Sequence, residues 1–225
     1  MKKLVEIDSK KFYEINELVV RTTPMRTHYH SKNILERWVW QRKKKIIINL
    51  LDNLSYNSII DVGCADGGLF ELVKENCDYT GVDISPTQIA YFKRILKENK
   101  ITNKAELIKA DARKMPFKNR KFDVALACDV LEHLLDPIKS MREIKRVVKN
   151  GGYVIFSIPN ESLFQLVRLL TGRFPLRSPD HLYSITVEDI KQHFPKIIKQ
   201  FGIPLNLSPN LNLINILLVK NEHRR

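Results

Sequence analysis

The sequence predicts an α/β fold with a doubly wound, mostly parallel sheet that is covered by helices on both faces. Between residues 58 and 159, short apolar segments typical of buried strands alternate with amphipathic segments typical of helices. Strands and helices that alternate in this way are joined by right-handed crossovers, which place helices on each face of a parallel sheet. The length of 225 residues suits one such domain with additions.

A long amphipathic helix is predicted first, over residues 31–54, with Ser31 as its N-cap. Five strands are predicted next, at 58–63, 78–84, 105–111, 122–130 and 153–159. Helices follow the first, second and fourth strands, at 67–76, 85–100 and 137–149. Ser85 caps the second of these helices with Pro86 at its first helical position, and Asn150–Gly152 ends the third.

The C-terminal part departs from this alternation. Residues 160–185 combine an amphipathic piece with a loop that contains Gly, Pro and Arg. A short helix follows over 186–194, which Thr186 begins with a capping-box pattern. Two further strands are predicted at 196–203 and 211–220.

The chain is strongly basic, with 38 Lys and Arg against 25 Asp and Glu and a net charge of +13. Such a charge either favours an anionic partner, namely RNA, DNA or an acidic membrane, or belongs to a solvated surface. The basic residues are scattered along the chain, without the interleaved aromatic residues that a single-strand binder uses. A nucleic-acid partner is therefore not favoured.

Cysteine usage indicates a reducing compartment. Cys64, Cys77 and Cys128 are odd in number and lack CxxC spacing, so neither a zinc site nor a disulfide framework is expected, and no metal is predicted. The N-terminus has no apolar stretch of the kind found in signal peptides, and the apolar runs are too short to cross a bilayer. These features predict a cytoplasmic protein.

Acidic residues collect at the predicted strand ends, where open α/β sheets bind their ligands. The first four strands end in Asp61, Asp83, Asp111 and the group Cys128, Asp129, Glu132 and His133. Because the chain is otherwise basic, acids in these places suit a ligand that carries hydroxyl groups and a positive charge. They do not suit a polyphosphate.

The turn after the first strand is rich in glycine and yet matches no phosphate-binding motif. Its spacing, from Gly63 to Gly68, fits neither GxGxxG nor GxxxxGK[ST]. Asp66 within the turn would repel a pyrophosphate at a helix N-terminus. By contrast Asp83, 22 residues after Asp61, is well placed to bind a ribose diol.

These motifs resemble those of the class I methyltransferases that use S-adenosyl-L-methionine, in particular the branch that includes the quinone-biosynthesis enzymes. The matching segments span about residues 55–160 in the family's order and are IIDVGCADGG, GVDIS, KADARKMPF, FDVALACDVLEHLLDP and VKNGGYVIFSIPN. The resemblance implies a Rossmann-like sheet of seven strands, of which the last is antiparallel. It also implies a transferase that moves a methyl group from S-adenosyl-L-methionine. Ala65 departs from the family, which most often has Gly there.

The resemblance assigns the glycine-rich turn to the methionine part of the cofactor. Gly63, Ala65 and Gly67, together with Cys64 between them, would form the turn beneath that part. Asp61 would help to hold the methionine amino group, through water or backbone.

The next two strand ends are assigned to the nucleoside. Asp83 would take the two ribose hydroxyls, and Ile84 would pack on the adenine. Asp111 would bind the adenine amino group, and Ala112 would offer its backbone N–H.

The fourth strand end is assigned to the methyl group. Cys128 and Asp129 would line the methionine end, and His133 would lie where the methyl group leaves. A general base is needed for a hydroxyl acceptor and less so for a thiol or an amine. His133, His181 and Tyr183 are the candidates, and none is singled out. The cysteines are expected to pack rather than act as nucleophiles.

The acceptor is expected to be held by the additions to the core, because loops on a rigid scaffold carry specificity. Residues 162–178 combine apolar side chains with Arg168, Arg173 and Arg177. This segment is a lid over an apolar substrate, a peripheral contact with an anionic membrane, or a helix packed on the sheet edge. Trp38 is a candidate cover for the cofactor site.

On this basis we predict one domain over residues 1–225. Residues 1–55 form an N-terminal helical addition, 56–160 the cofactor-binding core, and 160–185 a substrate-side insertion. A small-molecule or lipid-precursor methyltransferase is favoured. The alternatives are an RNA or protein methyltransferase that uses the basic surface, and a cofactor-binding module without turnover. Amino-methylating enzymes carry an Asn/Asp-Pro-Pro-aromatic motif after the fourth strand, and this chain has DVLEHL there instead, which disfavours the first alternative. The full set of strand-end acids disfavours the second, a module without turnover.

Overall fold

The computed structural model describes residues 1–5, 8, 11–14, 17–18, 34–74, 76–170, 175, 178, 180–206 and 208–222. Its strands are β1 (Lys2–Lys3), β2 (Ser58–Val62), β3 (Asp78–Asp83), β4 (Ala105–Lys109), β5 (Phe122–Cys128), β6 (Val148–Pro159), β7 (Tyr183–Ser184), β8 (Ile197–Ile203) and β9 (Ile214–Lys220). The longer helices are α1 (Ile34–Asp52), α2 (Pro86–Glu98), α3 (Pro137–Val147), α4 (Glu161–Leu170) and α5 (Val187–His193). Short 3-10 turns lie at Phe70–Leu72, Thr102–Lys104, Leu131–His133 and Pro209–Leu211.

Within the described residues, seven strands form one sheet in the order β4–β3–β2–β5–β6–β9–β8. Pairing is parallel from β4 through β6, and β9 is antiparallel to both of its neighbours. The predicted seven-stranded, mostly parallel sheet with an antiparallel last strand is therefore confirmed. The chain order reverses between β2 and β5, and in open α/β sheets a ligand crevice opens at such a reversal.

Two buried clusters show that helices cover both faces of the sheet. One contains Ile60 of β2 and Met141 of α3, together with side chains of α5. The other contains the neighbouring Ile59 of β2, with Ile47 of α1 and Phe92 of α2. Successive residues of a strand point to opposite faces, so β2 contributes to both clusters and is buried on each side.

Two helices begin at the capping residues that the sequence predicts. The Ser85 hydroxyl accepts the Gln88 N–H at 3.2 Å, which confirms the predicted cap of α2. Thr186 and Asp189 form the predicted capping box at the start of α5. The predicted cap Ser31 lies outside the described residues.

The helix predicted over 67–76 is wrong. The segment forms only the single 3-10 turn at Phe70–Leu72. Gly67 has φ +82°, a left-handed conformation that a helix cannot contain, and two adjacent glycines carry a high entropic cost in a helix. Phe70 packs edge-on against Tyr79 and Phe92, with ring centroids 4.9 and 5.6 Å away, so tertiary packing fixes the turn.

Two further details differ from prediction. α3 ends at Val147 and β6 begins at Val148, so the residues predicted to stop the helix lie within a strand. β1 pairs with β7 in a separate two-stranded sheet that the sequence does not suggest. None of the helices in the described ranges has the length and apolar character needed to cross a membrane.

Asp123 fastens the start of β5 to the start of β2. Its Oδ2 accepts the N–H of Asn57 at 3.1 Å and both the N–H and the hydroxyl of Ser58, at 3.0 and 2.8 Å. Its Oδ1 accepts from Lys149 Nζ at 2.6 Å. Burial alone would raise the pKa of Asp123, but the hydrogen bonds outweigh it and bring the pKa down to about 2.

Asp123→Asn is expected to weaken the fold at pH 7 and to flatten its acid sensitivity. The folded pKa of about 2 lies below the unfolded value of about 3.9, so the carboxylate stabilises the fold above pH ~4. That stabilisation is lost as the pH falls through the folded pKa. Urea unfolding at pH 7, 5 and 3 measures the effect, with exposed Asp52→Asn as control. Equal pH dependence in Asp123→Asn and the parent protein would contradict this role.

Candidate functional site

A cavity of about 140 Å³ lies at the carboxyl ends of β2, β3, β4 and β5. The predicted site residues that line it are Gly63, Ala65, Asp83, Ile84, Asp111, Ala112, Asp129 and His133. The predicted residues that lie outside its lining are Asp61, Cys64, Gly67, Cys128, His181 and Tyr183. The structure thus brings eight of the fourteen together around one space at the reversal of chain order.

Gly63 and Gly67 are required by the geometry of the turn above β2. Gly63 has φ +76°, and a Cβ built on it would come within 2.4 Å of Val130 Cγ2. Gly67 has φ +82°, and a Cβ there would come within 2.3 Å of the Phe92 ring. The Gly63 N–H donates to the Val82 carbonyl at 2.7 Å, which ties the turn to β3. Any side chain at either position would displace this turn.

Ala65 adopts a left-handed conformation with φ +45° although it is not glycine. Such a conformation costs a residue with a Cβ about 1–2 kcal/mol and needs support from its surroundings. The support is a hydrogen bond of 2.9 Å from the Ala65 N–H to Asp83 Oδ2. The turn and the end of β3 are therefore held together by the same carboxylate.

Asp83 is oriented by two backbone amides. Its Oδ1 accepts the Ser85 N–H at 2.8 Å, and its Oδ2 accepts the Ala65 N–H. Burial raises the pKa of Asp83, and these hydrogen bonds oppose the rise. Each carboxylate oxygen retains a further lone pair, so the group can still accept two hydroxyl donors from the cavity.

Asp61 is buried beneath the residues that line the cavity, with an exposed fraction of only 1%. The Tyr79 hydroxyl donates to its Oδ2 at 2.7 Å. Burial raises the pKa of Asp61 to about 7, even though this hydrogen bond lowers it. Asp61 therefore faces Tyr79 beneath the turn rather than the cavity itself.

Asp111 is held by Arg113, which also lines the cavity. Two guanidinium nitrogens of Arg113 donate to Asp111 Oδ2, Nε at 2.9 Å and Nη2 at 2.7 Å. The backbone N–H of Arg113 donates to Asp111 Oδ1 at 2.8 Å. Burial pushes the pKa of Asp111 up, but the Arg113 hydrogen bonds outweigh it and leave the pKa below its ordinary value. Sequence reasoning missed Arg113, although it lies two residues after the acid within KADARKMPF.

A buried lysine reaches Asp129 from α1. Lys43 is 2% exposed, its Nζ forms an ion pair with Asp129 Oδ2, and the Ser157 hydroxyl donates to Asp129 Oδ1. Asp129 itself has φ +50°. Sequence analysis missed this lysine within the basic run of α1. The available signal is helical spacing, since Lys43 lies four residues from both Val39 and Ile47, which are buried.

The thiols of Cys64 and Cys128 belong to the core. Both are buried, and Cys128 Sγ lies 3.8 Å from the Ile155 carbonyl. Burial raises the pKa of each thiol well above its ordinary value. They are therefore protonated packing groups in this structure.

The three candidate bases have different surroundings. His133 lines the cavity, and its Nδ1 lies 3.2 Å from Asp180 Oδ2. Burial lowers the pKa of His133, but Asp180 and Glu132 outweigh it and raise the pKa to about 9. His181 Nδ1 pairs with Glu161, and the Tyr183 hydroxyl donates to a backbone carbonyl at 3.1 Å.

The cover of the cavity is not the predicted one. Trp38 is 43% exposed and lies outside the cavity lining. Phe12, which is buried, lines the cavity instead, and Glu17 accepts the Thr87 hydroxyl at 2.6 Å at the start of α2. The N-terminal addition therefore borders the site through residues that sequence analysis did not identify.

Comparison with known sequences shows that part of the chain is similar to a known family. The methyltransferase domain family matches residues 60–156, which include all four strand-end acids. The ubiquinone biosynthesis O-methyltransferase of Nitrosomonas europaea is 33% identical over 119 residues, which cover 52% of this chain and 49% of that protein. Sterol 4-C-methyltransferase strm-1 of Caenorhabditis elegans is 32% identical over 101 residues, covering 44% and 30% respectively. The match thus spans half or less of these relatives' length.

Solved structures share the fold. The N-methyltransferase NodS from Bradyrhizobium japonicum, in complex with S-adenosyl-L-homocysteine, aligns with a TM-score of 0.67 at 16% identity and covers 94% of this chain and 99% of that one. The PH0226 protein of Pyrococcus horikoshii aligns with a TM-score of 0.68 at 19% identity, covering 91% and 99%. Residues 60–156 thus match the methyltransferase domain family, and the chain shares its fold with an N-methyltransferase solved in complex with S-adenosyl-L-homocysteine.

Proposed function

We propose that this chain transfers the methyl group of S-adenosyl-L-methionine to a small-molecule or lipid-precursor acceptor. The observation that carries the proposal is the row of carboxylates around one cavity, Asp83, Asp111 and Asp129, which follow three parallel strands of one sheet. This arrangement suits a ligand with a ribose diol and a cationic end. Relatives named for ubiquinone biosynthesis and sterol methylation support an apolar acceptor.

The cavity offers a distinct group for each part of this cofactor. Asp83, held by two backbone amides, has lone pairs left for the ribose hydroxyls. The turn from Gly63 allows close approach of the backbone to the methionine part, because there is no Cβ at that point. Asp129 lines the cavity and places a negative charge at the methionine end, as the amino group requires, while Lys43 pairs with Asp129 from outside the lining.

When bound, the cofactor supplies an electrophilic methyl group on a sulfonium. The task of the protein is then to align the acceptor with the methyl and to exclude water. His133 lies on the cavity wall at the end of the fourth parallel strand, where the acceptor would enter. Whether the acceptor atom is oxygen, nitrogen or carbon is left open by this proposal.

Helix α4 supports an apolar acceptor. Its first residue, Glu161, pairs with His181, whose ring stacks edge-on against His133 at 4.6 Å between centroids. The helix then exposes Leu166 and Leu170, at 48% and 76%. These side chains suit a long apolar acceptor or peripheral contact with an anionic membrane through residues 162–178. Arg173 and Arg177 of that segment lie outside the described residues.

Titration calorimetry with S-adenosyl-L-methionine tests the cofactor assignment. Asp83→Ala is expected to weaken binding at least roughly 10- to 100-fold, since even one hydrogen bond to a charged group contributes about 1.5–3 kcal/mol. Asp78→Ala, at the exposed start of the same strand, is expected to leave binding unchanged. A lack of binding by the intact protein, or equal binding by Asp83→Ala, would overturn the assignment.

A labelled-methyl assay tests the acceptor class. Host extract is separated into lipid, small-molecule, RNA and protein pools, and each is incubated with the protein and labelled cofactor. We expect label in the lipid or small-molecule pool. Label in no pool, despite cofactor binding, would favour a module without turnover.

The charge of +13 supports one alternative, an RNA or protein methyltransferase. Filter binding to total RNA over a salt series distinguishes it. Tight binding that falls steeply with salt, together with label in the RNA pool, would favour RNA as the acceptor. We expect weak binding of RNA, because the basic residues are scattered along the sequence.

A further inference from the structure

Glu132, His133 and His181 meet beside the cavity. One carboxylate oxygen of Glu132 and one ring nitrogen of each histidine all lie within 4.8 Å of one another. Glu132 and His133 belong to the 3-10 turn after β5, whereas His181 comes from the segment before β7. The fold thus brings together three metal-ligating side chains from two separate parts of the sequence.

One oxygen of the buried Glu132 carboxylate lacks a hydrogen-bond partner in the described part of the protein. The residue is 1% exposed, and its Oε2 has no hydrogen-bond partner among the residues that the structure describes. Burying such an oxygen without compensation costs a protein several kcal/mol, so native structures rarely keep one without a purpose. A cation between this carboxylate and the two imidazoles would provide the compensation.

Each histidine is oriented by a second carboxylate. Asp180 Oδ2 lies 3.2 Å from His133 Nδ1, and Glu161 Oε1 pairs with His181 Nδ1. Both contacts engage Nδ1, so Nε2 is the nitrogen of each ring that we assign to such a cation. Histidines that bind metals are commonly held in this way, because the outer carboxylate fixes the ring and increases its basicity.

We propose that Glu132, His133 and His181 bind a divalent transition-metal ion. Two imidazole nitrogens and one carboxylate oxygen form the donor set of open zinc sites, and imidazole also suits other transition ions. A set of three protein ligands leaves a coordination position free, and one of the three, His133, lines the cavity. An ion at this place favours an acceptor that must lose a proton before it is methylated. That role rests on the proposed function, whereas binding of the ion does not.

Zinc and cobalt titrations of chelator-treated full-length protein test the proposal. We expect one Zn²⁺ per chain by calorimetry, and Co²⁺ absorption bands typical of four or five ligands that include imidazole. Glu132→Gln and His181→Gln are each expected to weaken Zn²⁺ binding by at least ~10- to 100-fold, the loss known for outer ligands alone. His193→Gln, in α5 and away from the cluster, is the matched control and should bind Zn²⁺ normally.

Three results would overturn the proposal. They are a lack of Zn²⁺ and Co²⁺ binding by the intact protein, a Co²⁺ spectrum typical of oxygen ligands only, and equal Zn²⁺ binding by Glu132→Gln and the parent. Binding of Mg²⁺ without Zn²⁺ or Co²⁺ is an instance of the first result, since it contradicts the imidazole donor set. The Co²⁺ spectrum of the intact protein keeps the test valid if a variant fails to fold. Calorimetry with S-adenosyl-L-methionine on the same samples separates failure of the metal site from failure of the proposed function.

Discussion

Gly63→Val is expected to abolish binding of S-adenosyl-L-methionine, while Ala65→Gly is expected to retain it. The valine Cβ would lie 2.4 Å from Val130 Cγ2, and its backbone would have to keep φ +76°, where β-branched residues are strongly disfavoured. The turn must then move away from β3 and lose the Gly63–Val82 hydrogen bond. We expect the dissociation constant to rise by more than ~100-fold, which corresponds to about 2.7 kcal/mol.

Ala65→Gly tests the same turn in the opposite direction. The left-handed φ of +45° costs alanine about 1–2 kcal/mol, which glycine avoids. Glycine also increases the entropy of the unfolded chain, which offsets about 0.4–1 kcal/mol of that gain. The free energy of unfolding should therefore rise by no more than ~1.6 kcal/mol, and the turn should keep its shape. Calorimetry and urea unfolding measure the two effects.

Gly151→Val is the control for this pair. Gly151 also has a left-handed φ, of +82°, but a Cβ there meets no atom of the described residues within 4 Å, and the residue lies in β6 away from the cavity. This variant should lose stability from backbone strain alone and keep its cofactor affinity. Retained cofactor binding in Gly63→Val would refute the placement of this turn beneath the methionine part.

The sheet could be predicted because its signals are local. β2 and β5 are short runs buried on both faces, and such runs differ in composition from the amphipathic helices between them. The segment after β2 could not be predicted in the same way. Its apolar residues fit a helix, but Gly67 and the aromatic packing around Phe70 restrict it to one 3-10 turn. Tertiary contacts therefore determine the conformation of this segment, although its local sequence pattern favours a helix.

The strand-end acids could be predicted because parallel strands bring their carboxyl ends to one edge. Their partners could not, since a partner depends on side-chain packing from another element. Tyr79 beneath Asp61 and Lys43 beside Asp129 both belong to this class. The prediction of no metal rested on cysteine spacing. Cysteine spacing gives no information about a cluster of Glu132, His133 and His181, because His181 reaches the other two only through the fold of the segment before β7.

Lys43→Met is expected to lower the free energy of unfolding by about 3–5 kcal/mol, the loss typical of breaking a buried ion pair at one partner. Lys43 is 2% exposed, and the Asp129 side chain is 12% exposed, so neither charge can recover its hydration in place. Methionine fills a similar volume but leaves the carboxylate without its cation. Urea unfolding at pH 7 measures the loss. Lys45→Met, on the exposed face of the same helix, should change stability by less than ~0.5 kcal/mol.

The double variant Lys43→Met with Asp129→Asn separates the lost charge pair from lost packing. With both charges removed, no buried carboxylate is left uncompensated at this position, and the Ser157 hydroxyl can still donate to the amide oxygen of the introduced side chain. We therefore expect the double variant to be more stable than Lys43→Met alone, with a coupling of about 1–3 kcal/mol in the mutant cycle. Strictly additive losses would show that Lys43 stabilises the fold through its packing in α1. A positive coupling would show that the charge pair itself helps to hold α1 against the end of β5, beside the cofactor site.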